Sequence, residues 1–188
     1  MKKIISNILL ILGILIIITA ISLKLYSKNK ENQLINDFNN TPVVQEDNEN
    51  KKDNNESNEE IKGMALIEIP SINLKSIIVN GTSLDILRYY LGHFKDTAKP
   101  GEYGNFAIAG HSSLIYNEIL NNLYKVNVGD KIIIKTKEQE FIYKITEKFV
   151  VKPTEIEVLK QDRSKKEMTI VTCTNKGKER LIVKAELY

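Results

Sequence analysis

The sequence contains one cysteine, two histidines, four prolines and no tryptophan. A lone cysteine excludes a disulfide framework, which needs an even number, and excludes a zinc site built from several thiolates. It also removes the second thiol that dithiol redox chemistry uses. The two histidines, His93 and His111, have no third ligand at a recognisable spacing, and the acids Asp130, Glu138 and Glu140 are scattered rather than spaced as a hard-cation loop. No metal and no cofactor are expected. Charge of either sign is not concentrated: 27 Lys and Arg against 24 Asp and Glu leave +3, and aromatics are 7% of the chain. Without a basic stripe interleaved with aromatics, nucleic-acid binding is not expected. No internal repeat is present.

What is there falls into three regions. Residues 1–28 hold a charged start, Met1-Lys2-Lys3, and an uncharged run from Ile4 to Leu23 dominated by Ile and Leu. A helix needs roughly 20 apolar residues to cross a bilayer core, so this run is long enough. A cleaved signal peptide would have a shorter apolar core, roughly 7–15 residues, followed by a small-residue cleavage site. The run instead continues into Lys24-Leu25-Tyr26, which favours an uncleaved transmembrane anchor. Lysines on both flanks nearly balance the positive-inside rule, so charge alone does not orient it. Residues 29–62, rich in Asn, Glu, Asp and Lys, bury too little surface to offset ordering entropy and are expected to form a flexible polar linker.

Residues 63–188 change character again. Short runs rich in Ile, Val and Phe recur between turn residues: 65–69, 75–79, 105–109, 131–136, 140–151, 167–172 and 180–187. Their length and β-branching predict strands. Two stretches read as helical: Ser83–Leu91, with Ser83 at the N-cap, and Tyr116–Leu123. Many strands and little helix predict a mainly β domain, and closure into a barrel would remove exposed edges.

Thr169-Ile170-Val171-Thr172-Cys173 is a strand whose alternation puts Thr169, Val171 and Cys173 on one face. Cys173 ends the run where Thr174-Asn175-Lys176-Gly177 begins a loop, so its thiol can reach a groove; most free cysteines, by contrast, are small buried hydrophobes. Arg180 opens the next strand, and hairpin pairing would return it near Cys173, where a fixed positive charge can hold a substrate carbonyl. An ordinary surface arginine is the alternative. A cysteine nucleophile needs an acid–base partner distant in sequence and near in space. Histidine titrates near neutrality and suits that role. His111, at the end of Phe106-Ala107-Ile108-Ala109-Gly110-His111, is the first candidate and His93 the reserve.

Taken together, Leu91-Gly92-His93-Phe94, Thr97-Ala98-Lys99-Pro100-Gly101, Gly104–His111, the 169–173 pentapeptide and Arg180 resemble the sortase family over nearly all of residues 63–188. The pentapeptide fits the family's T-L-x-T-C signature with Ile170 in place of Leu. The resemblance implies an eight-stranded closed β-barrel with short helices. It implies Cys173 as nucleophile, His111 as general acid and base, and Arg180 as the group that positions substrate and steadies the oxyanion. His93 matches a position outside the catalytic set. The implied activity is that of a cysteine transpeptidase acting on surface proteins with a C-terminal LPxTG-like signal. It would cut between Thr and Gly and pass the thioacyl enzyme to an amine of a peptidoglycan precursor. The implied location is the cell membrane, N-terminus cytoplasmic and catalytic domain outside. No C-terminal apolar segment or lid-like aromatic plug is read, unlike class C, and the 151–166 connection holds Pro153 but no large helix, unlike class B. Class D fits best, ahead of A or E, although Ser112 follows His111 where many relatives have Arg. Two rivals differ in what they require: a thiol hydrolase would pass the acyl group to water, and a noncatalytic binding domain would keep Cys173 as core.

Overall fold

The protein was analysed as a computed structural model that describes residues 2–41, 61–112 and 119–188. Eight strands close into a barrel: β1 Gly63–Ile69, β2 Leu74–Asn80, β3 Leu91–His93, β4 Gly104–Gly110, β5 Lys131–Lys135, β6 Glu140–Val151, β7 Lys166–Thr174 and β8 Glu179–Leu187. Around the barrel the order is β1-β2-β3-β4-β7-β8-β6-β5. β5 returns to β1, so no strand is left as an edge. Most neighbours are antiparallel, but β2 with β3 and β4 with β7 are parallel.

Alternation along each strand supplies the interior. Phe106 and Ile108 of β4, Met168 and Ile170 of β7, and Val183 and Ala185 of β8 belong to one buried cluster with Ile67, Ile132, Ile134 and Tyr143. Burying each large aliphatic or aromatic side chain contributes roughly 1.5–3 kcal/mol. Tyr143 keeps its polar tip satisfied, its hydroxyl accepting a hydrogen bond from Gly101 N at 2.8 Å. The intervening residues on β4, β7 and β8 therefore point outward, and these include Ala107, Ala109, Thr169, Val171, Cys173 and Arg180.

The predicted strands appear, and one more was not read from the pattern. Leu91–His93 is a strand of three residues, too short to display alternation, and it replaces the end of the helix predicted over Ser83–Leu91. What remains helical is Leu84–Leu87, with Ser83 in the N-cap position but making no side-chain cap. Gly92 is required there: a Cβ would lie 2.2 Å from the Gly81 carbonyl oxygen, so any larger residue would push β2 and β3 apart. The helix predicted over Tyr116–Leu123 begins in residues outside those described. Its described part is a turn followed by a 3-10 turn at Leu123–Lys125.

The N-terminal helix, α1, runs from Lys2 to Asn40 and so extends well into the stretch expected to be flexible. Its apolar first half, exposed from Ile4 to Leu25, is long and apolar enough to cross a membrane. The polar half stays helical because it continues a helix already nucleated, and because Glu31, Leu34, Ile35 and Phe38 fall at i, i+3, i+4 and i+7 on one face. That face packs on β1 and β2, where Phe38 is buried with Leu66, Ile77 and Val79. Glu31 is fully buried there, with Ser76 Oγ donating to Oε1 at 2.6 Å and Lys28 Nζ to Oε2 at 3.0 Å. Two such donors offset much of the cost of burying a carboxylate. Lys137 Nζ closes the far end of the contact by donating to the Phe38 and Thr41 carbonyls. The remainder of the predicted linker, residues 42–60, lies outside those described.

Candidate active site

The parallel pairing of β4 and β7 sets the site. Their register runs from Gly104 opposite Lys166 to Gly110 opposite Thr172. The next residues in each strand direction are His111 and Cys173, which the register carries to the same level on neighbouring strands. Thr172, buried, fixes this end by donating from Oγ1 to the Gly110 carbonyl at 2.9 Å. On the other side of β7, antiparallel β8 brings Arg180 directly opposite Cys173. Directly paired residues on one face have Cβ atoms about 4.5–5.5 Å apart. The hairpin expectation for Cys173 and Arg180 is therefore met, and both point away from the core.

His111 and Cys173 line one cavity of about 420 Å³ at the end of the barrel, together with Leu120, Asn121 and the Asn175–Gly177 turn. Cys173 is only partly buried, so its thiol is not a core side chain. The turn is held in an unusual shape, Asn175 and Lys176 both having positive φ, 48° and 55°. Left-handed backbone at two successive non-glycine residues costs energy that the surrounding structure must supply. Arg180 does not line the cavity: its Nη1 donates to the carbonyls of Gly177 and Glu179, at 2.9 and 3.0 Å. In this state the guanidinium clamps the strained turn beside Cys173 rather than reaching over the thiol.

His93, the reserve candidate, is not brought to this site. It is 3% exposed, pairs with Ile108 in mid-β4, and stacks at 5.3 Å against Phe106. Its Nε2 lies 3.0 Å from the Ala98 carbonyl, which has no hydrogen to give, so Nε2 carries one. Nδ1 faces the Asn80 side-chain amide at 3.3 Å. Burial pushes this imidazole below its ordinary range, against the opposing pull of hydrogen bonds at Ala98 and Thr97. It is a structural histidine, and one of its neighbours matters more than the ring. Thr97 Oγ1 accepts a hydrogen bond from Ala107 N at 3.2 Å and so holds the middle of β4.

A polar cluster that the sequence did not reveal lies at the other end of the same two strands. Gln161, in the β6–β7 connection, presents its amide to Asn105 as a strand would: Asn105 N donates to Oε1 at 2.9 Å and Nε2 donates to Asn105 O at 3.0 Å. Asn105 Nδ2 donates to the carbonyls of Val158 and Lys160, and Thr169 Oγ1 donates to Asn105 Oδ1 at 2.8 Å. The partners are separated by 53 to 64 positions in the chain, so no local pattern announces them.

Among the described residues, no group of three or more His, Cys, Asp and Glu is arranged to hold a metal ion. Asp130 is engaged elsewhere. Its carboxylate is held below the usual range first by the Asn127 backbone N–H, which donates at 2.9 Å, and also by Ser71.

A protein-family model described as Sortase domain matches residues 67–188. Among curated relatives, sortase A of Streptococcus agalactiae is 28% identical over 179 residues, which are 90% of this chain and 70% of that protein. Sortase D of Bacillus subtilis is 29% identical over 108 residues, 57% of this chain and about half, 52%, of its own length. Among solved structures, a Clostridium perfringens sortase D5 transpeptidase is 50% identical with a TM-score of 0.64, covering 68% of this chain and 79% of that one. A lid mutant of sortase A from Corynebacterium diphtheriae is 31% identical with a TM-score of 0.66, covering 71% and 74%.

Proposed function

From the premise that this chain belongs to the sortase family, we propose that it is a membrane-anchored cysteine transpeptidase whose reaction is carried by Cys173, His111 and Arg180. The observation that carries the reading is that Arg180 is paired directly opposite Cys173, while His111, the residue after the last β4–β7 pair, lines the same cavity as Cys173.

Chemically, the Cys173 thiolate adds to the Thr carbonyl of an LPxTG-like signal. The Thr–Gly C–N bond breaks, the glycine amine leaves with a proton from His111, and a thioester to Cys173 remains. An amine of a peptidoglycan precursor then gives its proton to His111 and attacks the thioester. The new amide forms as the C–S bond breaks and the thiolate returns. Arg180 supplies charge to the carbonyl oxygen as it becomes an oxyanion. Doing so requires the guanidinium to exchange its Gly177 and Glu179 carbonyl partners for the substrate.

The apolar run within residues 1–28 is read as the anchor, the N-terminus as cytoplasmic, and residues 63–188 as the catalytic domain outside. The likeness to the sortase D5 transpeptidase supports class D.

The test uses the full-length protein in detergent with a labelled Leu-Pro-Gln-Thr-Gly peptide and a small amine, products weighed by mass spectrometry. An amine-linked product cut after Thr, absent with Cys173→Ala, is expected. Cleavage that gives only the free acid at saturating amine would make the protein a hydrolase. No thioester and an alkylation-resistant Cys173 would reduce the barrel to a binding domain.

A further inference from the structure

The direction in which α1 meets the barrel decides which end of the barrel lies toward the apolar run. Lys24, Leu25 and Lys28 share a cavity of about 420 Å³ with Ile72, Asn73 and Lys75, around the β1–β2 turn. Farther along α1, Glu31 is bonded to Ser76, and Phe38 is buried with Ile77 and Val79. α1 therefore runs the same way as β2, with the β1–β2 turn nearest the apolar run and the finish of β2 farthest from it. β3 is parallel to β2, β4 antiparallel to β3, and β7 parallel to β4. Followed around the wall, these pairings make β4 and β7 start at the far end and finish at the near one. Their finish is where His111 and Cys173 stand.

A separate contact gives the same answer. Ile21, inside the apolar run, lines the α1 cavity together with Ile119 and Asn122, whereas the intervening Leu120 and Asn121 line the cavity of Cys173 and His111. One turn separates the two cavities, and four residues reach at most about 14 Å even when fully extended. Two large side chains at this end are left to solvent. Tyr124, 60% exposed, borders the Cys173 cavity, and Val128, 65% exposed, sits on the turn that Asp130 ties to Ser71 beside Ile72. Tyrosine and aliphatic tips suit the layer where bilayer hydrocarbon gives way to headgroups.

On the anchor reading above, on which this inference rests, Ile21 lies near the outer boundary of the hydrocarbon core. We propose that the barrel stands with its catalytic end toward the membrane. The bilayer surface is the partner of the end that carries Cys173, His111, Tyr124 and Val128, and the Asn105–Gln161 end points away from it. Substrates then reach the thiol through the layer between barrel and headgroups, which favours signals and acceptor amines that are themselves held at the membrane.

Cys173 is the sole thiol, so one probe can be placed at a time. The full-length protein in phosphatidylcholine vesicles carries a membrane-impermeant fluorescent maleimide at Cys173 or, in Cys173→Ser/Arg163→Cys, on the exposed connection before β7. Energy transfer to an acceptor on lipid headgroups should place position 173 about 15–20 Å nearer the bilayer than position 163, the axial rise of β7 at ordinary barrel tilt. That difference should shrink in Phe38→Ser/Lys137→Gln, which loosens α1 from the barrel without touching the catalytic groups. Equal distances, or position 163 nearer, overturns the orientation. A difference that survives Phe38→Ser/Lys137→Gln unchanged overturns the docking of α1 as its source, and the inference with it. Vesicle flotation in alkaline carbonate separates this from the anchor reading. Protein left at the bottom refutes both, whereas floating protein with equal transfer from the two positions refutes the orientation alone.

Discussion

At the start of β4 and β7, Asn105, Thr169 and Gln161 commit their polar atoms to one another and to the β6–β7 connection; at the finish of the same strands, His111 and Cys173 face an open cavity. The first end resembles the interior of a sheet in its completeness, with a side-chain amide standing in for a missing strand. The second end is partly exposed and bordered by a turn with two left-handed residues. The difference shows how a small barrel keeps reactive groups accessible without letting them drift. Seven paired positions of uninterrupted parallel register connect the two ends, so the level of His111 against Cys173 is fixed by bonds made far from either. A loose site would lose rate, because misplacing reacting groups by an ångström is costly.

The largest effect that would break this comparison is at the open end. Cys173→Ala should lower amine-linked product by about three orders of magnitude or more, with the thermal midpoint nearly unchanged. Retained turnover would remove the thiol from the mechanism. Next, Arg180→Ala should lower kcat/KM by about a hundred-fold, read from initial rates on the labelled peptide. Because Arg180 also clamps the Gly177 turn, a small loss of stability should accompany it, which differential scanning calorimetry would measure.

At the locked end the expectation reverses. Asn105→Ala should cost about 1–3 kcal/mol of stability, measured by urea unfolding, while Cys173 retains its reactivity toward iodoacetamide at permissive temperature. A large loss of thiol reactivity without destabilisation would mean that the two ends are not divided in this way. Smallest of all is the effect of His93. Its folded-state pKa lies below the ordinary value of about 6.5, so between those two values the unfolded chain binds more protons than the folded one. Stability is complete above the ordinary value and drains as pH falls through it toward the folded value. The thermal midpoint should therefore fall between neutrality and mild acid, and His93→Gln, which cannot titrate, should flatten that fall.

Much of this was legible in the chain because it is local. Runs such as Lys131–Lys135 and Glu140–Val151 announce strands by β-branching, and the position of Cys173 at the end of its run, with Arg180 just across a short loop, follows from period-two geometry. What was not legible is long-range or short. β3 has too few residues for a period, and Gln161 has no reason to stand out until Asn105 is placed beside it. Residues from Asn29 onward read as solvated because their composition is polar. The spacing of Glu31, Leu34, Ile35 and Phe38 was the available signal, weak because a buried glutamate heads it. Pairing Cys173 with His111 came from family likeness, since two histidines and one thiol do not by themselves say which two meet.

The docking of α1 on β1 and β2 changes what kind of machine the proposed anchor makes. A catalytic domain on a loose string samples a hemisphere, and its encounters with clients are limited by how fast it wanders. Here the barrel is bracketed to the rod that emerges from the apolar run, through Phe38, Glu31–Ser76 and Lys137, before the segment after Thr41 begins. Because α1 itself holds the barrel, the number of residues between Thr41 and Ile61 no longer sets the working height. On such a mount the groove presents a fixed bearing toward the bilayer, so clients must come to it, and polypeptides still leaving the membrane nearby would be met first.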